Sequence, residues 1–149
     1  MDDNPLLTEF PLQTFDKLRY ADMDRQGHVN NAVFSTFLET GRVELLYNPA
    51  APIAAPGTAF VIARLELDYR TELTWPGQVA IGTAVDSVGR SSFKLRQGLF
   101  QDDRCAALAR TIIVLVDEQT RRSSPLSTVG VARLSALRPV PIKGSSATE

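Results

Sequence analysis

The stretch NNAVFSTFLETGRVELLY, residues 30–47, decides the fold. It contains no proline, and its apolar side chains recur at the spacing of one helical face: Phe34, Leu38, Gly41 and Leu45, with Val33 and Phe37 widening the stripe. Asn30 or Asn31 is a natural N-cap, because its side chain can accept a hydrogen bond from a free amide of the first turn. The stretch therefore predicts a long amphipathic helix, which the prolines at 49, 52 and 56 end.

Downstream of the helix the apolar period changes to two. From Val61 to Trp75 the odd positions are mostly apolar, and the even positions from Arg64 to Thr74 are polar or charged. This alternation predicts a long strand with one buried face. Turns at 76–77, 88–91 and 102–103 separate three further strands, over about 79–85, 93–99 and 105–118. The last of them is apolar on both faces at its centre, which predicts a central, covered strand.

Upstream, residues 10–20 predict a first strand with an irregularity, and residues 126–137 a weak helix near the end of the chain. The predicted order is one strand, one long helix and a four-stranded antiparallel meander. Because the apolar stripe of the helix needs a sheet to cover it, we expect an α+β fold: a curved antiparallel sheet of about five strands wrapped around the helix. Gly41 lets the helix and the sheet approach closely. Residues 1–138 form the single domain, and 139–149 a flexible tail.

Composition excludes several classes of protein. With 149 residues, 44% hydrophobic and 22% charged, the chain has the make-up of one globular domain. A formal net charge of −1 gives no reason to expect a nucleic acid or a membrane as partner. The N-terminus does not look like a signal peptide, so we expect a cytoplasmic protein. One cysteine and one histidine cannot build a protein zinc site, and no metal is expected.

The segment before the helix, RYADMDRQGHVNN at residues 19–31, concentrates polar chemistry. It brings two carboxylates and the only histidine to a helix N-terminus, whose free amides suit a developing oxyanion. A carboxylate just before the helix can act as a general base or a nucleophile. The alternative is structural: Asp22 and Asp24 form a solvated turn, Asn30 is a cap and His28 lies on the surface.

Residues 19–46 resemble the signature of hotdog-fold acyl-CoA thioesterases of the 4-hydroxybenzoyl-CoA thioesterase type. The shared elements are the D-x-D of Asp22 and Asp24, the G-H-V-N-N that follows, an aromatic residue after the asparagines, and an acidic residue and an arginine along the helix. The segment Gly89-Arg90-Ser91-Ser92-Phe93 is similar to the family's strand junction near bound coenzyme A. The resemblance covers about residues 12–120 and implies a hotdog fold and hydrolysis of an acyl-CoA thioester without a cofactor.

The resemblance also implies site roles, position by position. Asp24 is the catalytic carboxylate, as nucleophile or as base for water. The backbone amide of Asn31 polarises the thioester carbonyl, and His28 and Asn30 line the mouth of the site. Arg90, Ser91 and Ser92 hold the pantetheine and phosphates of coenzyme A. Phe34 stands where the family often has tyrosine, so it receives no chemical role.

Family members assemble as dimers or tetramers with the active site between subunits, so the resemblance implies a homodimer or homotetramer. The acyl group can be carried by coenzyme A or by acyl carrier protein. Two other functions stay open: a non-catalytic acyl-thioester-binding subunit, and an acyl-thioester dehydratase or hydratase, which needs a differently spaced histidine and acid. Elsewhere, Glu39 and Arg42 are three apart on the helix, and this spacing predicts an ion pair.

Overall fold

The computed structural model describes residues 4–141, which form one antiparallel sheet of five strands and two α-helices. In chain order the elements are β1 (Leu12–Lys17), α1 (Asn31–Leu46), β2 (Thr58–Tyr69), β3 (Gln78–Val88), β4 (Ser92–Gln101), β5 (Arg104–Asp117) and α2 (Thr128–Ser135). Helix α1 lies on one face of the sheet, against β1, β3 and β4. The predicted α+β fold, a sheet around one long helix, is confirmed.

The strand order is β1-β3-β4-β5-β2, with every pair of neighbours antiparallel. The predicted meander is correct for β3, β4 and β5, and β5 is a central strand as expected. It is wrong for β2, which pairs with β5 at the far edge and not with β3. Residues 70–77 therefore cross the end of the sheet over three strand spacings, about 14 Å, which a segment of this length reaches easily. This crossing segment later contributes to the site.

The close approach of α1 to the sheet depends on Gly41. A Cβ atom there would lie 2.6 Å from Ile81 Cγ2 and 2.8 Å from Gln97 Nε2, which is closer than side chains tolerate. Gln97 Nε2 donates hydrogen bonds to the Leu38 carbonyl at 3.1 Å and to Thr83 Oγ1 at 3.0 Å. The sheet thus binds the helix through apolar packing and one buried polar link, as the glycine within the stripe predicts.

The strand predicted over 61–75 is shorter and less regular than its alternation indicates. It begins at Thr58 and ends at Tyr69, because Leu73 turns inward, is fully buried, and accepts a hydrogen bond from Val29 N through its carbonyl. A register shift between Ile62 and Arg64 interrupts the period. The predicted buried face is also largely uncovered within one chain, since β2 is an edge strand.

The ends of the chain match the predicted elements in part. The first strand is confined to Leu12–Lys17 and flanked by 3-10 turns at Leu7–Glu9 and Tyr20–Asp22. Val140 N donates to the Glu9 carbonyl at 2.8 Å, so the chain is still attached at this point. The rest of the predicted flexible tail, residues 142–149, lies outside the described residues. Within residues 4–141 no helix is long and apolar enough to cross a membrane.

Candidate active site

The segment that leads into α1 is held by backbone hydrogen bonds. Asp24 N donates to the His28 carbonyl at 2.7 Å, and Gly27 closes the turn between them with a φ of 82°, which favours glycine. Asn30 N donates to the Asp22 carbonyl at 2.9 Å, so the segment folds back on itself before the helix begins at Asn31. The Asn30 side chain accepts from Ala32 N at 2.9 Å and is the predicted N-cap.

The two carboxylates of the D-x-D have different surroundings. Asp22 is buried and accepts from Arg19 Nη2 at 2.7 Å and from Arg19 N at 3.0 Å. These contacts with Arg19 hold the pKa of Asp22 below its usual range. Asp24 Oδ1 accepts from the amides of Gln26 at 2.8 Å and His28 at 3.2 Å, while Oδ2 accepts no hydrogen bond within residues 4–141. Asp24 is thus an oriented carboxylate, and one of its oxygens has no hydrogen-bond donor among residues 4–141.

The start of α1 supplies a free donor beside this carboxylate. The Asn31 amide donates no hydrogen bond to any residue that the structure describes, because Asn30 caps the next amide, that of Ala32. The helix dipole adds partial positive charge at the same point. The arrangement therefore offers an anion-stabilising group at the residue that the sequence indicated.

The last residue of β2 and the crossing segment after it also line this region, and their contribution was not predicted. Tyr69 OH donates to the Asn31 carbonyl at 3.2 Å. Glu72 Oε2 lies 3.0 Å from His28 Nε2. Both residues lie within the alternating stretch, and the alternation gave no sign that β2 ends between them. The only sequence signal near this point was the apolar Leu73 shortly before the turn at Trp75-Pro76-Gly77. In the structure Leu73 is fully buried, and the chain turns inward there.

These groups face one cavity of about 380 Å³. Asp24, His28, Asn31, Phe34, Tyr69 and Glu72 are among its lining residues, whereas Asn30 is not. The cavity combines an oriented carboxylate, a free amide and an imidazole, which are groups suited to acyl transfer to water. Among residues 4–141, no group of three or more His, Cys, Asp or Glu side chains is placed to hold a metal ion.

Arg90, Ser91 and Ser92 lie at the other end of the sheet. Their hairpin is fixed by hydrogen bonds from Gly89 N to the Ser92 carbonyl and from Leu126 N to the Arg90 carbonyl. Ser92 pairs with Val114 of β5, whereas the Asp24 end of the sheet is at Ala107, seven residues away along the same strand. The two ends are about 24 Å apart from the rise of an antiparallel strand. A single chain does not bring Arg90 to Asp24.

Arg42 forms an unexpected feature on the opposite half of α1. The predicted Glu39–Arg42 ion pair is absent, because the Arg42 side chain packs inward and is only 9% exposed. Its Nη1 has no hydrogen-bond partner, and burial lowers the pKa of Arg42. The residue borders a groove of about 170 Å³ between α1 and β2, together with Tyr47, Phe60 and Ile62. A buried guanidinium nitrogen without a hydrogen-bond partner is costly.

Comparisons with known proteins show the family of the chain. The sequence profile of the thioesterase-like superfamily matches residues 18–136. Among proteins with curated functional descriptions, none matches this sequence.

Solved structures share the fold over most of the chain. The PA5185 protein from Pseudomonas aeruginosa is 24% identical, covers 91% of this chain with 97% of its own, and superimposes with a TM-score of 0.80. A Thermus thermophilus thioesterase in complex with coenzyme A and zinc is 28% identical over 90% of this chain and 98% of its own, with a TM-score of 0.73. A Staphylococcus aureus DHNA-CoA thioesterase is 20% identical over 76% and 78%, with a TM-score of 0.68.

Proposed function

Because the chain belongs to the thioesterase-like superfamily, it is a hydrolase of acyl-CoA thioesters, and we propose that the reaction takes place in the Asp24 cavity. The observation that carries this proposal is the state of Asp24. One of its carboxylate oxygens is fixed by two backbone amides, the other accepts no hydrogen bond among residues 4–141, and Asp24 lines the same cavity as Asn31.

The chemistry follows from these two groups. The thioester carbonyl oxygen binds the Asn31 amide, which stabilises the negative charge that develops during attack. Asp24 Oδ2 either attacks the carbonyl carbon or takes a proton from the attacking water. The C–S bond then breaks, and a thiolate leaves readily because thiols are far more acidic than alcohols. If Asp24 takes the proton of the attacking water, the free acid forms directly and the proton passes to the leaving thiolate. If Asp24 attacks, a mixed anhydride forms, and water hydrolyses it to the free acid and the original carboxylate. No metal or activated cysteine is required.

We further propose that the enzyme acts as a homodimer formed through β2. The free edge of this strand is unpaired, and its helix-facing side chains are exposed: Ile62 by 48%, Leu65 by 38% and Tyr69 by 51%. An exposed edge with apolar side chains favours pairing with another chain. A second copy on this edge would also cover the groove in which Arg42 lacks a partner.

In such a dimer, one end of the sheet in one subunit lies beside the opposite end of the sheet in the other. If β2 pairs antiparallel with its copy about the middle of the strand, the Tyr69 end of one strand lies beside the Val61 end of the other. The Asp24 cavity is at the first end, and the hairpin of Arg90 is at the second. A coenzyme A bound at Asp24 can then reach the partner subunit's Arg90, which supports coenzyme A, with its phosphates, as the acyl carrier.

The decisive test is release of free thiol from a panel of acyl-CoA substrates of varied length and aromaticity. Asp24→Asn keeps the size of the side chain and removes the base or nucleophile, so we expect activity to fall by about 10²- to 10⁴-fold or more. Asp103→Asn, an exposed carboxylate in the turn between β4 and β5 and outside the cavity, is the matched control and should retain full activity. Asp24→Asn with near-parental activity and an unchanged Tm would contradict the proposed site, and a chain that releases no thiol from any substrate would support a binding subunit.

A further inference from the structure

The crossing segment places a carboxylate against the only histidine of the chain. Glu72 Oε2 lies 3.0 Å from His28 Nε2, and both side chains line the cavity that contains Asp24. We infer that Glu72 is a positioning residue, which accepts a hydrogen bond from His28 Nε2–H and fixes the imidazole in the cavity. The inference rests on the proposed function of that cavity.

The backbone holds the two side chains in place. Val29 N donates to the Leu73 carbonyl at 2.8 Å, and both residues are buried, so this bond is protected from water. Glu72 and His28 directly precede the two residues that it joins. Their side chains are therefore brought together by a fixed contact between two segments and do not depend on a chance encounter of mobile surface groups.

His28 is in turn linked to Asp24. The Asp24 amide donates to the His28 carbonyl at 2.7 Å, and the His28 amide donates to Asp24 Oδ1 at 3.2 Å. Glu72, His28 and Asp24 thus form one connected series of contacts along the wall of the cavity. A residue that holds the His28 ring acts beside the reacting carboxylate.

The contact also decides which ring nitrogen is free. In a neutral imidazole one nitrogen carries a proton and the other accepts a hydrogen bond. If Nε2–H is directed at Glu72, the accepting nitrogen is Nδ1, which has no hydrogen-bond partner among residues 4–141. Nδ1 is therefore the atom left for a water molecule or for the substrate.

The exposure of the His28 and Glu72 side chains distinguishes a positioning role for Glu72 from a purely structural one. The side chains of His28 and Glu72 are 38% and 51% exposed, and ion pairs at such positions contribute little to stability. Loss of Glu72 should accordingly lower kcat and leave Tm and KM nearly unchanged. A residue that only supported the loop would lower Tm and would act independently of His28.

The test is a double-mutant cycle on the full chain with Glu72→Ala, His28→Ala and the pair, followed by thiol release. At metal sites, loss of a histidine's orienting acceptor costs about 10- to 100-fold in function, and we expect a similar loss of kcat in Glu72→Ala. In the His28→Ala background, Glu72→Ala should add nothing further. Glu72→Gln, which keeps a side-chain oxygen, should recover part of the loss. Glu44→Gln is the matched control, because Glu44 is an exposed carboxylate on α1 that lies outside both the cavity and β2.

Three outcomes would overturn the inference: parental kcat in Glu72→Ala, parental kcat in His28→Ala, or losses that multiply in the double variant. Asp24→Asn is measured in parallel to keep the two proposals apart. If Asp24→Asn is inactive while the Glu72 variants are fully active, only the positioning role fails. If Asp24→Asn is active, the proposed site itself fails.

Discussion

Asp22 and Asp24 are the same residue type two positions apart, and the chain uses them differently. Asp22 is turned inward and neutralised by Arg19, so its charge serves the turn that precedes the helix. Asp24 is held by backbone amides on one oxygen and faces the cavity with the other. The structural alternative for this loop therefore fits Asp22 and Asn30, whereas Asp24 and His28 lie where chemistry is possible.

We expect Asp22→Asn to destabilise the fold by about 1–2 kcal/mol, because a buried carboxylate loses its charge-assisted hydrogen bonds. The pKa of Asp22 is lowered in the folded state by Arg19. Its contribution is therefore complete above the unfolded value of about 3.9 and is lost as the pH falls through the lowered folded value. Chemical unfolding of the parent and of Asp22→Asn across the acid range should show the difference between their free energies of unfolding shrinking in that window. Asp103→Asn, at an exposed turn position away from β2, is the control, and a difference independent of pH would contradict this account.

Arg90 allows a test of the coenzyme A contact. Its guanidinium can bind a phosphate with two hydrogen bonds, which lysine and serine cannot do. We expect Arg90→Ala to raise KM for acyl-CoA by about 10-fold or more, and to leave a truncated thioester without the nucleotide almost unaffected. Steady-state kinetics on the two substrates measures this. Equal losses on both would show that Arg90 supports the hairpin between β3 and β4.

At the level of elements, α1 joins the core and the site. Its apolar stripe fits the sheet only because Gly41 has no side chain, and its first turn presents the free amide of Asn31. Any shift of the helix away from the sheet would therefore also move the amide relative to Asp24. Packing in the middle of the helix and geometry at its N-terminus are coupled through one rigid element.

Gly41→Ala tests this packing. Alanine improves helix propensity by about 1 kcal/mol, but its Cβ would meet Ile81 and Gln97 below 3.0 Å. Overpacking of a filled core costs about 1–3 kcal/mol, and Ile81 is fully buried, so we expect net destabilisation and a lower Tm. Ser35→Ala, at an exposed position of the same helix, should be neutral or slightly stabilising. A more stable Gly41→Ala protein would show that the helix and sheet have room to separate.

At the level of the whole molecule, one chain keeps the two proposed parts of the site apart and leaves the edge strand β2 exposed. The Asp24 cavity and the Arg90 hairpin lie at opposite ends of the sheet, and β2 exposes apolar side chains between them. A second chain paired with β2 would cover the exposed side chains and would bring its own Arg90 hairpin toward the Asp24 cavity.

We expect a mass at least twice 16.3 kDa by light scattering at micromolar concentration. Leu65→Glu should weaken the assembly, because it places charge among the exposed apolar side chains of the edge.

Mixing two variants with impaired activity gives a sharper test of the shared site. Asp24→Asn and Arg90→Ala chains, unfolded and refolded together, should regain up to about a quarter of parental activity at low substrate, since half of the dimers are mixed and each has one intact site. A monomeric mass, or no recovery on mixing, would contradict the shared site.

The sequence predicted the site in part. The resemblance of segment 19–31 to the thioesterase signature indicated Asp24, His28 and the Asn31 amide, and these residues lie close because a turn, a cap and a helix start are formed by neighbouring residues. It did not reveal Tyr69 or Glu72, because Tyr69 ends β2 and Glu72 lies in the crossing segment, and both are distant from 19–31 in the sequence. The burial of Arg42 was equally hidden, since helical spacing predicted an exposed ion pair with Glu39, although both residues line the groove between α1 and β2.

What the sequence determined by itself was local: the helix and its cap, the period-two strands, the turn glycines and the need for a sheet against the stripe of α1. These follow from backbone geometry and apolar spacing within a few residues. The tertiary structure alone decided that β2 pairs with β5, that Leu73 turns inward, and that Arg90 lies far from Asp24. The reason is physical: strand partners and burial depend on which distant segments pack together, and a strand's alternation is the same whichever neighbour it pairs with.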